Sequence, residues 1–222
     1  MTVVFDYLRH ERIGLPESVY CAGKGVDAIN RLITELLENA THPILFTRFE
    51  PSQFEAIDKS LANELDYDGL SSTAYLHGVF DEITKGSAVI VTGGTSDIPV
   101  AFEAGRTLRY LGIPNTVYAD VGVAGLWRVQ ERMDEINSHD VVIVVAGMDA
   151  ALASVVAGKT PKPIIAVPTS VGYGVAAGGA TALNSMLASC SPGLMVTNID
   201  NGYGAACAAF RIIRNQYCAT DV

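Results

Sequence analysis

Apolar and polar positions follow a repeating order along residues 87–215. Residues 87–92 hold an apolar run, Ala88-Val89-Ile90-Val91, of single-strand length. Residues 98–111 then place Val100, Ala101, Ala104, Leu108 and Leu111 at the spacing of one helix face. The alternation continues. Strands are predicted at 114–120, 141–146, 163–167 and 194–198, and helices at 125–136, 149–156, 177–187 and 205–215. Most of these strands are apolar at consecutive positions rather than every second one, as in a sheet buried on both faces. The pattern predicts an α/β domain with a parallel sheet. Right-handed crossovers then gather the loops that leave the strands at one edge, where ligands bind.

Residues 1–80 differ. Residues 5–31 mix charged and apolar positions without a period until a helical stretch at 27–37. A strand is predicted at 43–47, a helix at 51–65 with Phe54, Ile57 and Leu61 on one stripe, and two short pieces around Gly69 within 67–76. The chain therefore reads as a small α+β N-terminal lobe, residues 1–80, followed by a larger α/β domain, residues 81–222. The boundary falls where charge and glycine cluster, at 78–86.

Composition narrows the class. The 222 residues are 49% hydrophobic and only 18% charged, and the mean hydropathy is +0.28. No apolar run reaches the roughly 18 residues needed to span a bilayer. The start, Met1-Thr2-Val3-Val4-Phe5-Asp6, lacks the basic residues and cleavage site of a signal peptide. The excess apolar surface is expected in the core and in contacts between copies of the chain. A net charge of −9 without a basic patch sets aside nucleic acid and anionic membranes as partners. Cys21, Cys190, Cys207 and Cys218 are far apart and form no CxxC pair, which argues against a zinc site or a disulfide framework. A reduced, cytoplasmic protein is expected.

The loops after the strands are rich in glycine and small polar residues. They are Gly93-Gly94-Thr95-Ser96-Asp97, Asp120-Val121-Gly122-Val123-Ala124-Gly125, Ala146-Gly147-Met148-Asp149, Pro168-Thr169-Ser170-Val171-Gly172-Tyr173-Gly174 and Asn198-Ile199-Asp200-Asn201-Gly202-Tyr203-Gly204. The first is either a phosphate or ribose cradle at a helix N-terminus or a strand-to-helix turn in which Ser96 or Asp97 caps the helix and Pro99 sits in its first turn. Glycines let the backbone approach a ligand closely, and all these loops on one edge point to a nucleotide-like ligand.

Several side chains carry two readings. Cys190, between a helix and a strand, is a small buried hydrophobe or a nucleophile. Cys21, Cys207 and Cys218 read as packing or surface residues. His10, His42, His77 and His139 lie outside the loops, so no histidine acid or base is evident. Asp97, Glu103, Asp120, Asp149 and Asp200 are the available carboxylates. Glu103 reads as structural, and Asp200 equally as a turn residue. Arg128 is a phosphate partner or half of a surface ion pair. Trp127 can stack on a base or pack. Asp120, Asp149 and Asp200 are candidate Mg2+ ligands, without the spacing of a metal signature.

In this order the segments resemble the LarB family, whose members carry a domain similar to the PurE carboxylase/mutase. The matching runs are 93–101, 120–125, 146–148, 165–174, 189–190 and 198–205, with residues 12–17 and Gly23-Lys24 fitting the family's start. The resemblance covers nearly the whole chain. It implies a three-layer, flavodoxin-like PurE fold for residues 81–222, serving as the nucleotide-binding catalytic domain, and an octamer of PurE type. It also implies an enzyme of nickel-pincer nucleotide biosynthesis. Such enzymes add CO2 to the pyridinium ring of nicotinic acid adenine dinucleotide and cleave its phosphoanhydride, giving pyridinium-3,5-biscarboxylic acid mononucleotide and AMP.

That chemistry gives Cys190 a role. Thiolate addition at ring carbon 4 converts the electron-poor ring into a dihydropyridine, whose enamine makes carbon 5 nucleophilic toward CO2. The candidate catalytic residues are Cys190, Asp97 and Asp149. The candidate substrate-binding residues are Gly93, Gly94, Thr95, Ser96, Asp120, Gly122, Arg128, Gly147, Met148, Thr169, Ser170, Tyr173, Asn198, Asp200, Asn201 and Gly202. Lys24 would reach a phosphate or carboxylate. The loop amides and Ser96 are expected on phosphate, and Asp97 on a ribose hydroxyl or the ring. No tightly bound cofactor is expected, CO2 is the co-substrate, and Mg2+ is a candidate. The chain departs from the family at Trp127, where His is usual, at Asp149, where Glu is usual, and at Phe102, which replaces a common Glu. Trp exchanges no proton at neutral pH. Two other readings stand beside the first: a PurE-type carboxyaminoimidazole ribonucleotide mutase, against which Trp127 counts, and a non-catalytic nucleotide-binding homologue, for which Trp127 is the motive.

Overall fold

The computed structural model describes residues 4–217. Cys218, one of the four thiols, lies outside them. The chain divides into two compact units, Met1–Asp81 and Glu82–Val222.

The first unit runs α1 (Arg9–Ile13), β1 (Val19–Tyr20), α2 (Val26–Asn39), β2 (Ile44–Thr47), α3 (Pro51–Ala56), α4 (Lys59–Ala62), β3 (Leu65–Asp68) and β4 (Thr73–Leu76). Its strands lie in the order β1-β2-β4-β3, with β1 parallel to β2 and the other pairs antiparallel. On α2 the buried residues are Ile29, Leu32, Ile33 and Leu36. That stripe joins Ile44, Phe46, Ala74 and Leu76 of the sheet in one core. The unperiodic start is organised by charge instead: Asp6 accepts from both terminal guanidinium nitrogens of Arg12. The pair holds the Asp6 carboxyl down at about 2. The helix predicted at 51–65 is broken in two. Ile57 turns extended after α3, and α4 stops at Ala62 because Leu65 already pairs with Leu76. Phe54 stacks on Tyr67 with ring centroids 3.9 Å apart. The apolar spacing read as one helix thus serves two short helices and a strand.

The second unit runs β5 (Ala88–Thr92), α5 (Ile98–Tyr110), β6 (Asn115–Tyr118), α6 (Leu126–Glu131), α7 (Met133–Asn137), β7 (Val141–Ala146), α8 (Ala151–Ala157), β8 (Ile164–Pro168), α9 (Ala180–Leu187), β9 (Leu194–Val196) and α10 (Gly202–Tyr217). All five strands are parallel, in the order β6-β5-β7-β8-β9. α5 packs with α10. α6 to α9 contribute Val129, Met133, Ile136, Leu152, Val156 and Met186 to a core with Val89, Val91, Val142 and Val144. Every residue of β5, β7 and β8 is buried, which is why those segments read as continuous apolar runs. This is the flavodoxin-like order, and its ligand crevice opens at the carboxyl ends of the strands where the order reverses, between β5 and β7.

The boundaries move where loops take over. The helix predicted at 125–136 becomes a 3-10 turn, Val123–Gly125, followed by α6 and α7. Arg132 divides the two helices. It pairs with Glu135 at 2.9 Å and lies over the Tyr118 ring at 5.4 Å. The helix predicted at 177–187 begins only at Ala180, because Ala177 and Gly178 leave helical geometry. Among the described residues no helix is long and apolar enough to cross a membrane.

Candidate functional site

The loops leaving β5, β6, β7, β8 and β9 are knitted together by their own hydrogen bonds. Thr92, the buried polar residue that ends β5, donates to the Gly94 carbonyl at 2.9 Å and accepts from the Asp120 amide at 3.0 Å. The Val121 amide donates to the Thr92 carbonyl, the Met148 amide to the Val171 carbonyl, and the Asp200 amide to the Pro168 carbonyl. Asp200 in turn accepts from the Ser170 amide at 2.8 Å. Thr92 is absent from the sequence-derived site. Its signal was a hydroxyl closing an otherwise apolar strand.

Two glycines are required by close approach. A Cβ on Gly122 would overlap the Gly93 carbonyl oxygen, and one on Gly147 would overlap the Val171 carbonyl oxygen and Thr169 Oγ1. Gly147→Ala is therefore expected to destabilise the fold by about 1–3 kcal/mol, as overpacking does. Urea unfolding midpoints check this, and an unchanged midpoint would mean the third and fourth loops are not clamped there. Backbone strain gathers at the same edge. Asp120, Met148, Ala150 and Asp200 all take φ between 55° and 58°, a region that is costly outside glycine and that clusters at functional sites.

Asp97 is the hub. It is 4% exposed. One carboxylate oxygen accepts from the Gly94 amide at 2.9 Å, and the other from Thr169 Oγ1 at 2.6 Å. The Gly147 amide also donates to it. Asp97 thus ties the first loop to the third and fourth. Burial pushes its carboxyl above the ordinary 3.8, opposed by these three hydrogen bonds, while Asp200 pushes the same way as burial. This corrects the capping expectation: no side chain caps α5, and the Asp97 carboxylate turns back on a 3-10 turn, Thr95–Asp97, that precedes the helix. A carboxylate so engaged positions loops rather than reaching for a ribose. The exposed Thr95 and Ser96 remain open to solvent beside it.

The other candidates fall into groups. Gly93, Gly94, Asp120, Gly122, Gly147, Met148, Thr169, Ser170 and Asp200 lie in the knitted loops described above. Tyr173 and Met148 are 76% and 44% exposed. Arg128 forms an ion pair with Asp120 at 3.0 Å. Asp149 is exposed and accepts from the Ala151 amide at 3.2 Å, at the start of α8. Asn201 accepts from the Gly204 amide at 2.8 Å within the first turn of α10, Asn198 accepts from the Ile199 amide, and Gly202 packs on the Val100 carbonyl of α5. Glu103 is buried and accepts from the Tyr203 amide at 3.2 Å, in keeping with a structural role. Asp120, Asp149 and Asp200 do not converge on a metal: among the described residues no group of three or more His, Cys, Asp and Glu could hold one. Lys24 belongs to the first unit, where its ammonium donates to the Tyr20 carbonyl.

Cys190 is an exposed free thiol. Burial raises Cys21 to about 12 and Cys207 to about 11, leaving both inert. The fold separates Cys190 from the loops of its own chain. It lies on the connection entering β9, whose first residue, Leu194, pairs with Ile164, the first residue of β8. The loops leave the strands at the other end. The segment is anchored instead on α8, where Ser189 Oγ meets Ser154 Oγ at 2.7 Å and Ser191 Oγ donates to the Ser154 carbonyl at 3.1 Å.

The AIR carboxylase family model matches residues 87–221, and the LarB/PurE-like N-terminal domain model matches residues 2–78. The chain belongs to the LarB family. Its carboxylase-like domain is the flavodoxin-like unit that carries the knitted loops. The chain is 40% identical over 207 residues to an uncharacterized protein of Methanocaldococcus jannaschii, covering 90% of this chain and 79% of that one. It is 34% identical over 131 residues to the N5-carboxyaminoimidazole ribonucleotide mutase of the same organism, covering 56% of this chain and 76% of that one. The crystal structure of Treponema denticola PurE matches with a TM-score of 0.51 at 23% identity, covering 60% of this chain and 82% of that one. That likeness is one of fold. This LarB family member thus joins a PurE-like AIR carboxylase domain to a distinct N-terminal domain.

Proposed function

We propose that this LarB family member carboxylates the pyridinium ring of nicotinic acid adenine dinucleotide with CO2 and hydrolyses its phosphoanhydride, releasing AMP and pyridinium-3,5-biscarboxylic acid mononucleotide. One observation carries the reading: a LarB/PurE-like N-terminal domain and an AIR carboxylase domain share one chain whose exposed thiol, among the described residues, is Cys190. In this reading the amides of the first loop and the Thr95 and Ser96 hydroxyls, at the start of the 13-residue α5, receive the phosphates. Asp97 holds those amides in place from behind. The Cys190 thiolate adds to ring carbon 4, and carbon 5 of the resulting enamine bonds to CO2. Loss of the carbon-5 proton and departure of the thiolate restore the aromatic ring. Water takes the place of the departing AMP at the phosphoanhydride.

Because Cys190 enters β9 at the end remote from the loops, the reading also requires a neighbouring copy to bring its thiol to them. Leu187 and Met195, 64% and 41% exposed on either side of Cys190, supply apolar surface for such a contact. A closed homo-oligomer, an octamer of PurE type, satisfies the requirement for every site at once.

The likeness to a curated mutase supports a second reading, carboxylate transfer on an aminoimidazole ribonucleotide. Trp127 weighs against it, since the resemblance places His there and an indole cannot shuttle a proton. A nucleotide-binding protein without turnover is the third. Supplying the protein with nicotinic acid adenine dinucleotide and bicarbonate, and separately with N5-carboxyaminoimidazole ribonucleotide, distinguishes them by mass spectrometry. AMP and a dicarboxylated mononucleotide are expected from the first mixture. Turnover of the second alone would install the mutase, and binding without turnover of either would leave the third reading.

A further inference from the structure

We propose that Trp127 is the stacking platform for the adenine half of the dinucleotide, with Arg128 bracing it. The inference rests on the substrate reading above and adds a recognition residue to it.

Trp127 is the single tryptophan of the chain, and it is 59% exposed. It is the second residue of α6. That helix is already anchored by Val129, which is fully buried. The indole therefore contributes little to the core. Its neighbourhood is built. Gly125 lies under it closely enough that a Cβ there would meet Trp127 Nε1 at 3.3 Å and Arg128 Nε at 3.1 Å. The Arg128 guanidinium stands 5.8 Å from the centre of the indole, and its ion pair with Asp120 fixes it. Asp120 is bound through its amide to Thr92, and Gly122 presses on the Gly93 carbonyl. A flat aromatic surface is thus mechanically coupled to the loop that would receive the phosphates, and most of its area faces solvent.

A nucleobase is the ligand chemistry that such a surface fits. Every base offers a π face, stacking needs no particular hydrogen-bond pattern, and a guanidinium beside the ring adds to the attraction. In a dinucleotide, one phosphoanhydride joins the reacting nucleotide to AMP, so a base beyond the phosphate loop is the adenine. Where the resemblance implies a proton-exchanging His, this chain carries a recognition surface that favours dinucleotides over mononucleotides.

The lone tryptophan makes the test direct. In the full-length protein, Trp127 fluorescence is followed while AMP, nicotinic acid adenine dinucleotide or nicotinic acid mononucleotide is added. AMP and the dinucleotide are expected to quench it, and the mononucleotide to leave it unchanged at saturation. Calorimetry should show Trp127→Ala binding the dinucleotide about tenfold more weakly, Trp127→Phe close to wild type, and the mononucleotide indifferent to both. Circular dichroism checks that each variant is folded. Equal quenching by the mononucleotide, no quenching by AMP, or a Trp127→Ala variant that keeps its dinucleotide affinity but changes oligomeric mass on sedimentation would each overturn the proposal. The outcome is separable from the activity itself: AMP quenching without carboxylation would sink the enzyme reading alone, and carboxylation with dinucleotide affinity unaltered in Trp127→Ala would sink this one alone.

Discussion

Cys190→Ser is expected to lower carboxylation of the pyridinium ring by at least about a thousandfold while dinucleotide binding survives, since loss of a covalent nucleophile removes the reaction path rather than the site. A serine hydroxyl ionises far less readily than a thiol, and an exposed position tolerates the exchange with little effect on the fold. Binding is measured by calorimetry and turnover by product analysis. Full activity in the variant would remove the thiolate adduct from the mechanism. The placement of Cys190 adds a second expectation. Neither Cys190→Ser nor Asp97→Asn turns over alone, yet when the two are co-expressed, about a quarter of the sites combine intact loops with an intact thiol from a neighbour. If thiol and loops acted within one protomer, the mixture would stay inactive.

Asp97→Ala is expected to lower stability by about 3 kcal/mol and to abolish nucleotide binding, because it strands three donors at once: the half-buried Gly94 and Gly147 amides and the buried Thr169 hydroxyl. Asp97→Asn keeps the shape but replaces one acceptor oxygen with an amide donor that faces one or more of those three groups, so it too loosens the loops. The pH dependence has a definite sign. Burial raises the native carboxyl above 3.8. The folded protein therefore binds that proton more tightly than the unfolded chain does. The proton-linked part of the Asp97 contribution is then fully present below 3.8 and fades as pH rises through the native value, while the hydrogen bonds to the carboxylate remain. Urea unfolding of wild type and Asp97→Asn from about pH 3.5 to 6.5 should show the wild-type advantage shrinking with rising pH and then levelling. An advantage that grows with pH would mean that the hydrogen bonds, not burial, dominate the carboxylate.

Much of this was legible in the residues. β7 reads as a continuous apolar run because both its faces are covered, and the glycines of the loops are where backbones meet at close range. What periodicity could not show is where tertiary pairing interrupts it. The stripe Phe54, Ile57 and Leu61 is compatible with one helix, but β3 must begin at Leu65 to pair with β4, and that shortens the helix before it. The inward turn of Asp97 was hidden for a similar reason: its partners Gly147 and Thr169 follow β7 and β8, far along the chain. The place of Cys190 was available and missed. A residue between a helix and the next parallel strand enters the sheet at the edge opposite the ligand loops, so the chain order alone separates Cys190 from residues 93–97 within one copy.

The central claim, that this chain adds CO2 to the pyridinium ring of a dinucleotide, is tested most directly with labelled bicarbonate. The protein is incubated with nicotinic acid adenine dinucleotide and 13C-bicarbonate, and the products are resolved by mass spectrometry. The account predicts AMP together with a mononucleotide bearing a second, 13C-labelled carboxylate. AMP accompanied only by unlabelled nicotinic acid mononucleotide would contradict it.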